Sequence, residues 1–298
     1  MTRYALYPGC SLEVKETAHA YYSSVLAIAE PLGLEFVEID DWNCCGATEY
    51  WTQDKLVACS VIARNLARVE PDVDQLTAPC AACYLNLRKV DTLMQGDEKL
   101  AANVNEALAA GDLHYEPGSV HVRHLLDVLY EDVGEDRIRS CVKQPLAGLR
   151  VAPYYGCQVV RPYGTFDDPE YPTKMDELLT WLGAEVIDYP VKSHCCGGHM
   201  TQISEPEAFE LLRRLLHTAT EYETDLIVCL CPMCQFNLDA YQARVNDHFD
   251  TDFSLPVLFL TQIVGVAFGL DADPLGMGRE IVSAEPVLAA RLGEEVRS

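Results

Sequence analysis

The 298 residues are nearly half apolar and carry 22 basic against 46 acidic side chains, a formal charge of -24. That length suits one large core or two fused domains, and that charge repels phosphate backbones and anionic lipid, excluding nucleic acid and a membrane surface as partners. The N-terminus lacks the apolar run and cleavage site of a secretory signal, and Leu255 to Leu270, broken by Thr261 and Gln262, is too short for a membrane span. A cytoplasmic protein without direct membrane insertion is therefore expected.

In chain order, Tyr4 to Tyr7 reads as a short strand ending at Gly9-Cys10, and Glu16 to Glu30 as a helix stopped by Pro31 and Gly33. Leu34 to Ile39 reads as a strand running into Cys44-Cys45-Gly46. A helix from Asp54 to Val69 follows, then a strand to Pro79, with Cys80 and Cys83 opening the next helix. The pattern then recurs: strand Leu149 to Tyr155, helix Lys174 to Leu182, strand Ala184 to Tyr189, helix Glu205 to Tyr222, strand Asp225 to Leu230 and a helix after Pro232. Leu255 to Leu270 reads as a buried helix. Alternation of this kind favours an α/β fold with largely parallel strands and places the cysteines in loops at strand C-terminal ends, where such sheets bind ligands.

Thirteen cysteines without a secretory signal point to metal or redox chemistry rather than a disulfide scaffold. Ten fall into two sets of five: Cys10, Cys44, Cys45, Cys80 and Cys83, then Cys157, Cys195, Cys196, Cys231 and Cys234. Matching members are 147 residues apart for Cys10 and Cys157 and 151 apart for the other four, so the halves differ by one four-residue insertion. Flanks repeat as well: Tyr7-Pro8-Gly9-Cys10 matches Tyr154-Tyr155-Gly156-Cys157. A period this long with two copies means duplication of a whole domain. The expected architecture is two duplicated Rossmann-like modules related by a pseudo-two-fold, residues 1–145 and 146–298.

Cys80-Ala81-Ala82-Cys83 and Cys231-Pro232-Met233-Cys234 can each bring two sulfurs to one centre from a helix start, as zinc ribbons, redox dithiols and iron–sulfur proteins do. Two successive cysteines, about 3.8 Å apart at Cα with diverging side chains, suit a polynuclear site better than one tetrahedral ion. Zinc or a cubane cluster takes four ligands, so five thiolates per half leave one over. Either the fifth is a free reactive thiol or the cluster uses more ligands than a cubane. Paired zinc sites with a spare cysteine each are the plain alternative.

These motifs resemble the B subunit of heterodisulfide reductase, a family defined by two cysteine-rich modules with a Cys-Cys-Gly core. The resemblance runs from Cys10 to the tail Leu270-Asp271-Ala272-Asp273-Pro274-Leu275-Gly276. It implies two non-cubane [4Fe–4S] clusters, one held by each set of five cysteines. A disulfide would enter between them and leave as two thiols, or the reverse. It further implies a complex with the family's ferredoxin-like iron–sulfur C subunit and its flavin-bearing A subunit. Related modules serve lactate, glycolate and glycerol-phosphate oxidases, thiol-linked fumarate reductases and sulfur-oxidation complexes. An electron-transfer role in such a complex is thus the second expectation, and a zinc-stabilised interaction module the third.

Lys192, His194 and His199 bracket the second Cys-Cys-Gly and are candidates to bind an anionic substrate or protonate a leaving thiolate. Trp42 and Asn43 precede the first Cys-Cys-Gly, which makes the second half the candidate for substrate contact. Arg161, Tyr163 and Thr165 could form a mouth over its cluster. Cys59 and Cys141 read as incidental thiols, and Cys229, two residues before Cys231, as a near neighbour of the site.

Overall fold

Each half opens with a strand that is apolar on both faces, the mark of a strand covered by helices on either side. Tyr4, Ala5 and Leu6 are buried in the first half, and Val151, Ala152 and Tyr154 in the second. In a computed structural model, which describes residues 2–12, 18–47 and 49–293, these residues belong to β1 (Thr2–Leu6) and β5 (Arg150–Tyr154). With β2 (Leu34–Glu38), β3 (Gln75–Ala78) and β4 (His121–His124), the first half forms a parallel sheet in the order β2-β1-β3-β4. The second half uses β6 (Glu185–Val186), β7 (Leu226–Cys229) and β8 (Val257–Phe259) in the same order, β6-β5-β7-β8, again parallel. A duplicated α/β module is therefore present. In each sheet the chain leaves its first strand toward one edge and returns on the other side, opening a crevice at the strand ends between β1 and β3 and between β5 and β7.

The helix expected over Glu16 to Glu30 is described as His19–Leu32; residues 13–17 lie outside the described residues. It runs through Pro31, because a proline in the last turn costs a single terminal hydrogen bond. Gly33, at φ +74°, then closes the helix with its N–H on the Ala29 and Glu30 carbonyls. The expected strand Ala184 to Tyr189 shortens to Glu185–Val186. Leu255 to Leu270 is not one helix: it contains β8 and the helix Leu260–Ala267, both wholly buried, so no alternation of burial distinguishes them. Among the described residues no helix is long and apolar enough to cross a membrane.

The halves clasp each other reciprocally. Helix His19–Leu32 of the first packs on Leu260–Ala267 and Ala272–Leu275 of the second, and Lys174–Trp181 of the second packs on Gly134–Cys141 of the first. Tyr21 stacks on Phe259 with ring centres 4.3 Å apart, Ser24 and Thr261 share a buried 2.6 Å hydrogen bond, and Tyr130 stacks on Trp181 at 5.0 Å.

Candidate metal centre

Cys80 stands just before the helix Ala81–Gly96, with Cys83 in its first turn; Cys231 and Cys234 stand likewise at the helix Pro232–Ala240. The loops after β1 and β5 come close enough that only glycine fits. A Cβ on Gly9, at φ +76°, would lie 2.7 Å from Cys83 Sγ, and one on Gly156, at φ +66°, 3.2 Å from Cys234 Sγ.

The sulfurs gather within each half, and the adjacent pair divides. Cys44 Sγ lies 3.5 Å from Cys10 Sγ, while Cys45 Sγ lies 3.5 Å from Cys83 Sγ. In the second half Cys195 bonds to Cys157, while Cys196 Sγ is 3.4 Å from Cys234 Sγ. In the first half the successive side chains thus bond to each other while each also reaches a different outer sulfur, an extended array of thiols that suits a polynuclear group better than a single ion. Among the described residues no three His, Cys, Asp or Glu side chains converge on a single-ion site.

N–H donors on sulfur favour the thiolate form. The Gly46 and Gly197 amides donate to Cys44 and Cys195, each at 3.3 Å. Asn86 Nδ2 reaches Cys45 Sγ at 3.7 Å, and Asn237 Nδ2 reaches Cys196 Sγ at 3.5 Å. Cys45 is held well below the ordinary thiol range, first by its hydrogen bond with Cys44 and then by that with Cys83. Cys196 is lowered first by Cys234. Cys195 is pushed down to about 6, mainly by its bond with Cys157, with help from the Gly197 amide and Arg161. The all-sulfur donor set, its amide donors and its glycine cradles fit an iron–sulfur group.

The two sets are not separate. The Cys80 and Cys231 thiols bond to each other across the halves; this pushes Cys80 well up and, after a larger effect from Cys234, helps hold Cys231 well down. Cys10 and Cys195 are exposed and Cys44 and Cys157 half-buried, whereas the other six site cysteines are buried.

The candidates around the second Cys-Cys-Gly fall in different places. Lys192 is buried, with its ammonium 2.7 Å from Asp176 Oδ1 and 4.0 Å from the centre of the Tyr171 ring, so it is engaged inside the fold. His194 is exposed beside Cys195, and its carbonyl accepts the Tyr154 hydroxyl at 2.7 Å. His199 Nδ1 lies 3.7 Å from Glu49 Oε1 of the first half. Arg161 donates to the Ser193 carbonyl at 2.7 Å, tying the loop after Cys157 to the Cys-Cys-Gly loop. Cys59 and Cys229 are buried thiols, each pushed up by burial, and Cys141 Sγ donates to the Pro31 carbonyl at 3.3 Å. In the first half a cleft of about 620 Å³ opens beside Cys10 and Cys44, lined by Trp42, Glu38, Asp40 and Asp41.

Sequence reasoning missed Asn86 and Asn237, whose amides reach Cys45 and Cys196. The asparagines could have been found, since they too are 151 residues apart, each three residues after the last cysteine of its set.

A family model described as a cysteine-rich domain (CCG) matches twice, at residues 4–88 and 151–239. The chain is 34% identical to the 8-methylmenaquinol:fumarate reductase membrane anchor subunit of Wolinella succinogenes, over 94% of this chain and 97% of that one. It is 29% identical to the B subunit of the ferredoxin/F420H2-dependent CoB-CoM heterodisulfide reductase of Methanosarcina acetivorans, over 97% of both chains. It is 31% identical to a protein of Archaeoglobus profundus described as like the heterodisulfide reductase B subunit, over 92% of this chain and 93% of that one. Among solved structures a hypothetical protein from Helicobacter pylori shares the fold, with a TM-score of 0.72 at 14% identity, covering 95% of this chain and 52% of the other.

Proposed function

Because the chain belongs to the family of heterodisulfide reductase B subunits, with two cysteine-rich CCG domains, we propose that it is the iron–sulfur subunit that reduces a disulfide to two thiols, or runs the reverse. Cys10, Cys44, Cys45, Cys80 and Cys83 hold one non-cubane [4Fe–4S] cluster, and Cys157, Cys195, Cys196, Cys231 and Cys234 the other. The modules divide at residue 145 and are related by a pseudo-two-fold. The ferredoxin-like iron–sulfur C subunit and the flavin-bearing A subunit of such a complex are the proposed partners.

One observation carries this reading: the two thiol sets meet at Cys80 and Cys231. Cleaving a disulfide takes two electrons and two protons and yields two thiols, and two neighbouring iron–sulfur centres supply electrons singly. The chain's own part is to hold the sulfurs with amide donors, to shield the inner thiols from water and to present Cys10 and Cys195 outward. His194, exposed beside Cys195, stands where a proton could be handed to a departing thiolate. Lys192 acts through Asp176, by fixing the loop, and His199 by linking it to the first half.

A second reading, favoured by the 34% identity to the Wolinella protein, is electron transfer from a quinol to a fumarate-reducing partner. Anaerobically purified protein should hold about eight irons with matching sulfide. Reduced viologen should then drive disulfide cleavage. Cys45→Ala and Cys196→Ala should each remove about half the iron and lower turnover at least about 100-fold. Zinc without sulfide would overturn the reading, and oxidation of a quinol with no turnover of any disulfide would move it to the second.

A further inference from the structure

We propose that Tyr21, which hydrogen-bonds the Pro79 and Leu230 carbonyls, and His124, whose buried ring faces them, are positioning residues for Cys80 and Cys231 and so set the coupling between the two centres. The inference rests on the cluster reading above and concerns residues that reading does not use.

Pro79 and Leu230 immediately precede Cys80 and Cys231, so whatever holds their carbonyls constrains the two thiols that interact across the halves. The buried Tyr21 hydroxyl donates to the Pro79 carbonyl at 2.8 Å and lies 3.5 Å from the Leu230 carbonyl. One side chain from the first half therefore reaches both backbones at the junction. His124, wholly buried, ends β4 and faces the same two carbonyls. Its Nδ1 accepts the Leu126 amide at 3.1 Å, which places the ring proton on Nε2. That buried Nε2 has no partner at hydrogen-bond distance, and the Pro79 and Leu230 carbonyls are the backbone acceptors it faces from farther off. An unspent buried donor is costly and calls for an explanation.

The two residues arrive by reciprocal stacks. Tyr21 lies on Phe259 of the other half at 4.3 Å and 6°, and His124 lies parallel to Phe166 of the other half at 6.4 Å and 5°. Phe259 and His124 each end the fourth strand of their half, yet one is apolar and the other carries a donor. Each stack thus contributes one polar group: Tyr21 bonds the pair of carbonyls and His124 faces them. Groups that orient metal ligands from behind act by restricting them to a fraction of an ångström.

The test compares wild type with Tyr21→Phe, which deletes only the hydroxyl, and His124→Phe, which copies Phe259. Iron and sulfide are measured first, and pulsed electron paramagnetic resonance then reads the spin–spin splitting between the two centres. Both variants are expected to keep wild-type iron and sulfide while the splitting changes by about two-fold or more. Full clusters with a wild-type splitting in both variants overturn this inference alone. Loss of iron from both would mark a merely structural role and also overturn it. Wild-type protein lacking iron and sulfide overturns the cluster reading beneath it, and this inference with it.

Discussion

Burial keeps the His124 imidazole uncharged, pushing its pKa from the ordinary 6.5 down to about 4. Between those values the unfolded chain binds more protons than the folded one, so stability rises with pH across that window. The contribution is complete above about pH 6.5 and lost as pH falls toward 4; it amounts to about 3 kcal/mol. The urea midpoint of the wild type should therefore drop more steeply from pH 7 to pH 5 than that of His124→Phe. Parallel drops would show that His124 is not buried neutral. The ten cysteines were legible in the sequence because spacing and repetition mark them twice. His124 and Tyr21 were not, since their meaning lies in two carbonyls far along the chain, and no local pattern records such a contact.

Secondary elements followed the same rule. Long helices with one apolar face, such as Glu205–Glu221, were legible nearly to the residue, and Asp54 caps Lys55–Leu66 through the Leu56 and Val57 amides. The fourth strands escaped because β8 is apolar throughout and β4 is four residues of His, Val and Arg. The tail Leu270 to Gly276 was visible as part of the resemblance, but its purpose is spatial. Gly276, at φ +64°, lets the backbone approach so closely that a Cβ would lie 2.7 Å from Ala20 Cα on the opposite half. Gly276→Ala should cost about 2–4 kcal/mol, combining left-handed strain with overlap against backbone that cannot swing aside. Gly278→Ala, at φ +81° with nothing within 4 Å of the new Cβ, should cost only the strain, about 1 kcal/mol. Chemical denaturation of the two variants side by side checks the difference; equal losses would mean that the tail is not seated on the first helix.

At the scale of the molecule, a charge of -24 is a standing self-repulsion that the compact state must tolerate. Salt shortens its reach, from about 10 Å at 0.1 M to about 3 Å at 1 M. The melting temperature should therefore rise with potassium chloride over that range, and a flat or falling curve would mean that the acidic side chains are already balanced within the fold. The reciprocal clasp has a consequence of another kind. Six of the ten thiols are sealed inside, while Cys10 and Cys195 stand at the surface. Whatever is delivered to the inner six must pass those outer positions or arrive before the halves shut, so the order of assembly, filling first or closing first, is imposed by the architecture itself.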